Sequence, residues 1–179
     1  MSEPRNLSLK KKRAARLGAV QALYSHSITG GKVHVGKMVE HIAAHWKDSI
    51  ASAEPDWALS TPPDTKLLEK ILAAAFAHAE LIEEQIDGLI LPGWRKERIS
   101  AVALSALRAF GAELIARPDT NVVVLIDEYT DVAASYAGES EVSFLHSAFN
   151  HLANFKPEVF DLFNNTPGRV GPQLKPPSE

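Results

Sequence analysis

An all-α fold of about seven helices, packed as two helical bundles, is what this 179-residue sequence predicts. Three observations carry that expectation. Apolar residues recur at steps of three and four through most segments, the helical period. Proline and glycine punctuate those segments at Gly30-Gly31, Pro55, Pro62-Pro63, Pro92-Gly93 and Pro118. One run alone, Val122 to Ile126, has strand composition. No second run exists to pair with it, and a lone strand is not viable.

The elements follow in order. Residues 1–7, with Pro4 and few apolar groups, are expected to be disordered. Ser8 can cap a helix from about Leu9 to Ile28, with Leu17, Val20 and Tyr24 on its apolar face. Gly30-Gly31 ends it. A second helix covers Val35 to Ile50, with Met38, Ile42, His45 and Trp46 on one side. Residues 53–63 read as a loop. Asp64 or Thr65 then opens a long helix to about Asp87, striped by Leu68, Leu72, Ala75, Ala79, Ile82 and Ile86. Leu91 to Trp94 breaks the chain, and the next helix runs from about Lys96 to Ala116. After a turn at Arg117-Pro118-Asp119, Asn121 to Ala137 reads as helix, because Val124, Asp127 and Asp131 keep helical spacing. Ser140 to Asn154, capped by Ser140, and a short stretch from Pro157 to Phe163 complete the set. The helical domain thus spans 8–166, with halves of about 8–88 and 96–166. The tail, 167–179, holds four prolines and is expected to be disordered.

Several function classes are excluded. With no cysteine there is no disulfide, thiolate zinc site or cysteine nucleophile. Gly30-Gly31-Lys32 is followed by Val33 and lacks the spaced first glycine of a phosphate-binding loop. Gly138-Glu139-Ser140 lacks the closing glycine of a nucleophile elbow. His41 and His45 share a helix face, but no third metal ligand accompanies them. Asp127, Glu128 and Asp131 form a carboxylate cluster, which suits either split-pKa acid–base work or ion pairing, the commoner role. The expectation is a non-enzyme that needs no cofactor and no metal. No secretory signal and no apolar run of membrane-spanning length are found, so a cytoplasmic protein without membrane contact is expected.

Charge is distributed unevenly. Residues 1–16 hold Arg5, Lys10, Lys11, Lys12, Arg13 and Arg16 against Glu3 alone, a net of +5, which leaves −8 for the rest of a chain whose total is −3. Lysine and arginine on the first turn of a helix oppose the macrodipole, which prefers acidic groups there. An anionic partner would offset that. Lys12 and Arg16 lie four apart and Arg13 and Arg16 three apart, so they share a side and would present a strip to a phosphate backbone. About four phosphate contacts would make log affinity fall against log salt with a slope near −3.

The segment KKKRAARLGAVQALYS, Lys10 to Ser25, resembles the start of the NusB family of transcription antitermination factors. Further matches come in order: Asp87 before LPGW, Glu97-Arg98-Ile99-Ser100, Leu107-Arg108 followed by Glu113-Leu114, and Arg117-Pro118-Asp119 before Val122-Val123 and Ile126-Asp127-Glu128-Tyr129. Val132-Ala133, Tyr136 and Phe144 continue the series. The resemblance implies an all-helical protein of two bundles that pairs with NusE, also a small-subunit ribosomal protein. It implies binding to the single-stranded boxA element of nascent RNA and action on the elongating RNA polymerase complex during ribosomal RNA transcription. Carried over by position, RNA contact falls on Lys12, Arg13 and Arg16, with Lys10 and Lys11 as helpers, and on Tyr24 and Arg108. The chain departs from the family pattern at Ala103, Ala112, Ala134 and Phe144-Leu145-His146-Ser147. The alternative is a protein-interaction module, a homodimer joined through alanine-lined helix faces with RNA and NusE binding weakened or lost.

Overall fold

The computed structural model describes residues 3–50, 61–89 and 96–154. These form seven α-helices, with no strand among the described residues. They are α1 (Glu3–Thr29), α2 (Val35–Ile50), α3 (Thr65–Ala77), α4 (Ala79–Gly88), α5 (Ala101–Ala116), α6 (Val122–Ala134) and α7 (Glu139–Ala153), with a 3-10 turn over Lys96–Arg98. The seventh helix of the sequence reading, Pro157 to Phe163, lies outside the described residues, as do Leu91 to Trp94 and the tail.

α1 begins at Glu3, six residues before the start read at Leu9, so residues 3–7 are helical rather than disordered. Pro4 falls in the first turn, where its missing N–H leaves no intrahelical bond unmade. The lysine run therefore sits about two turns into the helix instead of on its first turn. The macrodipole effect fades within one turn, so the strain read from the sequence is absent. At the other end Gly30 and Gly31 take φ of 64° and 98°, a region that costs glycine nothing. The Gly30 N–H donates to the His26 carbonyl at 2.8 Å as the helix closes.

Every residue from Ala14 to Val20 is buried, Arg16 and Gly18 included. A helix buried all round its girth is a central one. α1 packs on α2, α3, α5 and α6. α2 approaches it closely at Gly18, where a Cβ would lie 2.9 Å from the Ile42 Cγ2 methyl. The Asp64 side chain caps α3 by accepting from the Leu67 N–H at 3.0 Å, and the Asp64 N–H donates to the Lys11 carbonyl at 3.0 Å, which ties α3 to α1.

The long helix read over 64–87 is two, bent at His78 (φ −117°, ψ 27°). No proline or glycine marks the bend, and hydrogen bonding continues through it from His78 N–H to Ala74 and from Ile82 N–H to His78, both at 3.0 Å. The apolar stripe is buried at Leu68, Leu72, Ala75, Ile82 and Ile86, but the bend turns Ala79 outward. The helix read from Lys96 starts at Ala101 instead, because the Ser100 hydroxyl accepts from the Ala103 N–H at 3.1 Å and caps it.

Val122 to Ile126 opens α6. The Asn121 side chain accepts from the N–H groups of Val123 and Val124, and the chain then buries Leu125 and Ile126 while exposing the two valines. α7 starts at Glu139 with Gly138 at the cap position, so Ser140 is not the cap. At the far end of the core the rings of Phe110, Tyr129 and Phe149 meet with centroids 4.8–5.8 Å apart. One buried apolar cluster runs from α1 and α3 through α5 to α6 and α7. α1 and α5 belong to both ends of it.

Candidate nucleic-acid interface

The five cations from Lys10 to Arg16 divide into two groups by environment. Lys10, Lys11 and Lys12 lie exposed or half-buried along α1 and form no ion pair among the described residues. Arg13 and Arg16, one turn further on, face inward. Arg13 donates to both carboxylate oxygens of Glu128, at 2.7 and 2.9 Å, and its NH2 reaches Asp131 at 2.8 Å.

Arg16 is 4% exposed, beside a Glu113 that is 0% exposed. Its Nε and NH2 donate to the two Glu113 oxygens at 2.9 Å each, and NH1 lies 3.3 Å from Glu128. The Arg117 NH1 also donates to Glu113 at 2.9 Å. The Tyr129 hydroxyl lies 2.9 Å from Glu113 Oε2 and 3.1 Å from the Ala109 carbonyl oxygen, so two acceptors share its proton. The Arg16 guanidinium carbon stands 5.9 Å from the Tyr129 ring centre, within cation–π range.

Three cations thus meet three carboxylates, and the network is neutral. A buried carboxylate survives only with such partners. Burial opposes the charge on Arg16, but the hydrogen bond and charge of Glu113 outweigh it, and the guanidinium pKa rises. Burial, reinforced by the Glu113 charge, pushes the Tyr129 phenol well above its ordinary range. The expectation that Arg16 faces a phosphate backbone is corrected by this geometry: its side chain is spent inside the protein.

Tyr24 is 36% exposed, further along α1. Arg108 lies elsewhere. It bonds Glu83 of α4, which also pairs with Lys96 at 2.7 Å, while Lys96 reaches Asp87 at 2.6 Å. This second network shares no residue with the first. Burial favours the neutral Glu83 carboxyl, yet Arg108 and Lys96 outweigh it and hold its pKa below the usual range. Among the described residues no group of three histidine or carboxylate side chains could hold a metal ion. No described helix is long and apolar enough to cross a membrane.

The NusB family model matches residues 13–146. This chain belongs to the NusB family. The match begins at Arg13, so the lysine row precedes it. Among similar proteins, the transcription antitermination protein NusB of Maricaulis maris is 31% identical over 150 residues, 83% of this chain and 90% of the relative. NusB of Nitrobacter hamburgensis is 31% identical over 140 residues, 78% of this chain and 84% of the relative. The solved structure of T. maritima NusB superposes with a TM-score of 0.60 at 20% identity, covering 85% of this chain and 96% of that one, which establishes a shared fold.

Family membership makes this a transcription antitermination type of chain, and the all-α expectation holds. The sequence reading missed Glu113, Arg117 and Tyr129 as the partners that hold α1 in place. A signal was present: Glu113 shares its side of α5 with Ala106, Ala109, Phe110 and Ala116, all apolar. A lone carboxylate on a buried face calls for a buried cation.

Proposed function

We propose that this chain is an RNA-binding transcription antitermination factor that pairs with NusE and binds boxA-type single-stranded RNA during ribosomal RNA transcription. It acts on the RNA polymerase elongation complex through that pairing. The observation that carries the reading is the division of cations on α1. Lys10, Lys11 and Lys12 have no carboxylate partner among the described residues, on a chain whose remainder is acidic. Lysines so disposed neutralise phosphates and release counterions. Tyr24, exposed on the same helix, offers a ring on which an unstacked base can rest.

Arg13 and Arg16 take a positioning role in this scheme. They fix the azimuth of α1 against α5 and α6, which leaves Lys11 exposed and Lys10 and Lys12 half-buried. Arg108, drawn to Glu83, is a lesser contributor.

The test is a salt titration with boxA-like RNA, with and without NusE. Replacing Lys10, Lys11 and Lys12 by alanine should make the slope of log affinity against log salt shallower by about 2, or 0.7 for each of three phosphates. An unchanged slope would remove the lysine row from the interface. The homodimer reading gains no support from these contacts.

A further inference from the structure

A cleft of about 540 Å3 lies between the second half of α1 and α2. Its lining holds Lys32, Lys37 and the histidines His26, His34, His41 and His45, with Trp46 at its base. No carboxylate is among its described lining residues, in a chain with 22 acidic side chains. A wall of one sign in an acidic protein concentrates anions. His41 and His45 are exposed, and their rings stand 4.3 Å apart, tilted by 35°. Trp46 is 2% exposed, and its indole N–H has no hydrogen-bond partner among the described residues.

We propose that the α1–α2 cleft is a second contact for the RNA strand, with Lys32 and Lys37 taking phosphates and the His41–His45 pair stacking an unpaired base. The inference rests on the RNA-binding reading above. RNA is favoured over other anions by continuity. The cleft wall is α1 itself, and Lys12 to Ser25 is ~20 Å along the helix axis. The stretch of α1 between them, Ala14 to Val20, is buried under neighbouring helices, so an extended strand would span the lysine row and the cleft by crossing over those helices. Imidazole faces stack bases without regard to sequence.

Anisotropy titrations with a boxA-like RNA and with a version twice as long test this. Lys32→Ala with Lys37→Ala should make the salt slope for the longer RNA shallower by about 1.4, two phosphates' worth. His41→Ala with His45→Ala should weaken binding of the longer RNA and leave the slope in place. All four side chains are exposed, so melting curves of both variants should match the parent. If the parent binds RNA and neither double variant changes affinity or slope, the cleft contact is wrong while the function stands. If the lysine pair instead loses NusE with RNA binding intact, the cleft is a protein contact and the inference is overturned. A parent with no RNA affinity sinks both readings.

Discussion

Arg16 and Glu113 bring two full charges into the protein with their hydrogen-bonding capacity met by Arg117, Tyr129 and Glu128. Removing one partner leaves the other buried and uncompensated. Arg16→Ala should cost about 3–5 kcal/mol in urea denaturation, and lysine should not restore it, because an ammonium cannot match the two-pronged bond. A loss below 1 kcal/mol would mean the site is wetter than its burial suggests. Tyr129 adds a pH signature. Its folded pKa is raised, so the stability it brings is full below its unfolded value near 10 and declines as pH climbs above that. Tyr129 should contribute about 1.4 kcal/mol per pH unit to the loss there, and Tyr129→Phe should remove that share while leaving the share of Tyr136, whose phenol pKa burial also raises. Among the carboxylates, the sequence made ion pairing the commoner reading of Glu128 and Asp131. It could not say which cations answer them, because Arg13 and Glu128 are 115 residues apart and no local period links them.

Helix identity was legible because it is local: apolar period, breakers and cap residues such as Asp64 and Asn121 act within a few residues of themselves. The Val122 to Ile126 run was resolved correctly by asking what a strand would pair with. Boundaries set by distant groups were less legible. The bend at His78 carries no local mark, and α1 continues to Glu3 because Pro4 is as good a first-turn residue as it is a breaker. Gly18, unremarkable in the sequence, is where Ile42 of α2 presses against the α1 backbone. Gly18→Val should overpack that crossing and cost about 1–3 kcal/mol. Adding Ile42→Ala, which removes the colliding methyl, should restore part of the loss in a double-mutant cycle. Simple additivity would show that the two helices can separate without penalty.

At the scale of the molecule, the lysine row and Tyr24, proposed to meet RNA, stand on a helix whose middle, Ala14 to Val20, is embedded in the core. RNA that binds only the folded chain raises its stability by mass action, by about 2.7 kcal/mol at a hundred times the dissociation constant. The melting temperature should climb with RNA concentration, and the gain should shrink when Lys10, Lys11 and Lys12 are alanine. A flat melting temperature with RNA bound would mean that folded and unfolded chains bind alike. The placement of the site was half-visible in the sequence, as a basic cluster, but its orientation was not, since Arg13 and Arg16 turn inward through contacts made by α5 and α6. The unbroken run of α1 from Glu3 to Thr29 has a mechanical consequence. A transcript tugging at the lysines pulls on a rod pinned at its middle by the Glu113 and Glu128 clamps. The load reaches α5 and α6 directly, with no hinge in α1 to absorb it.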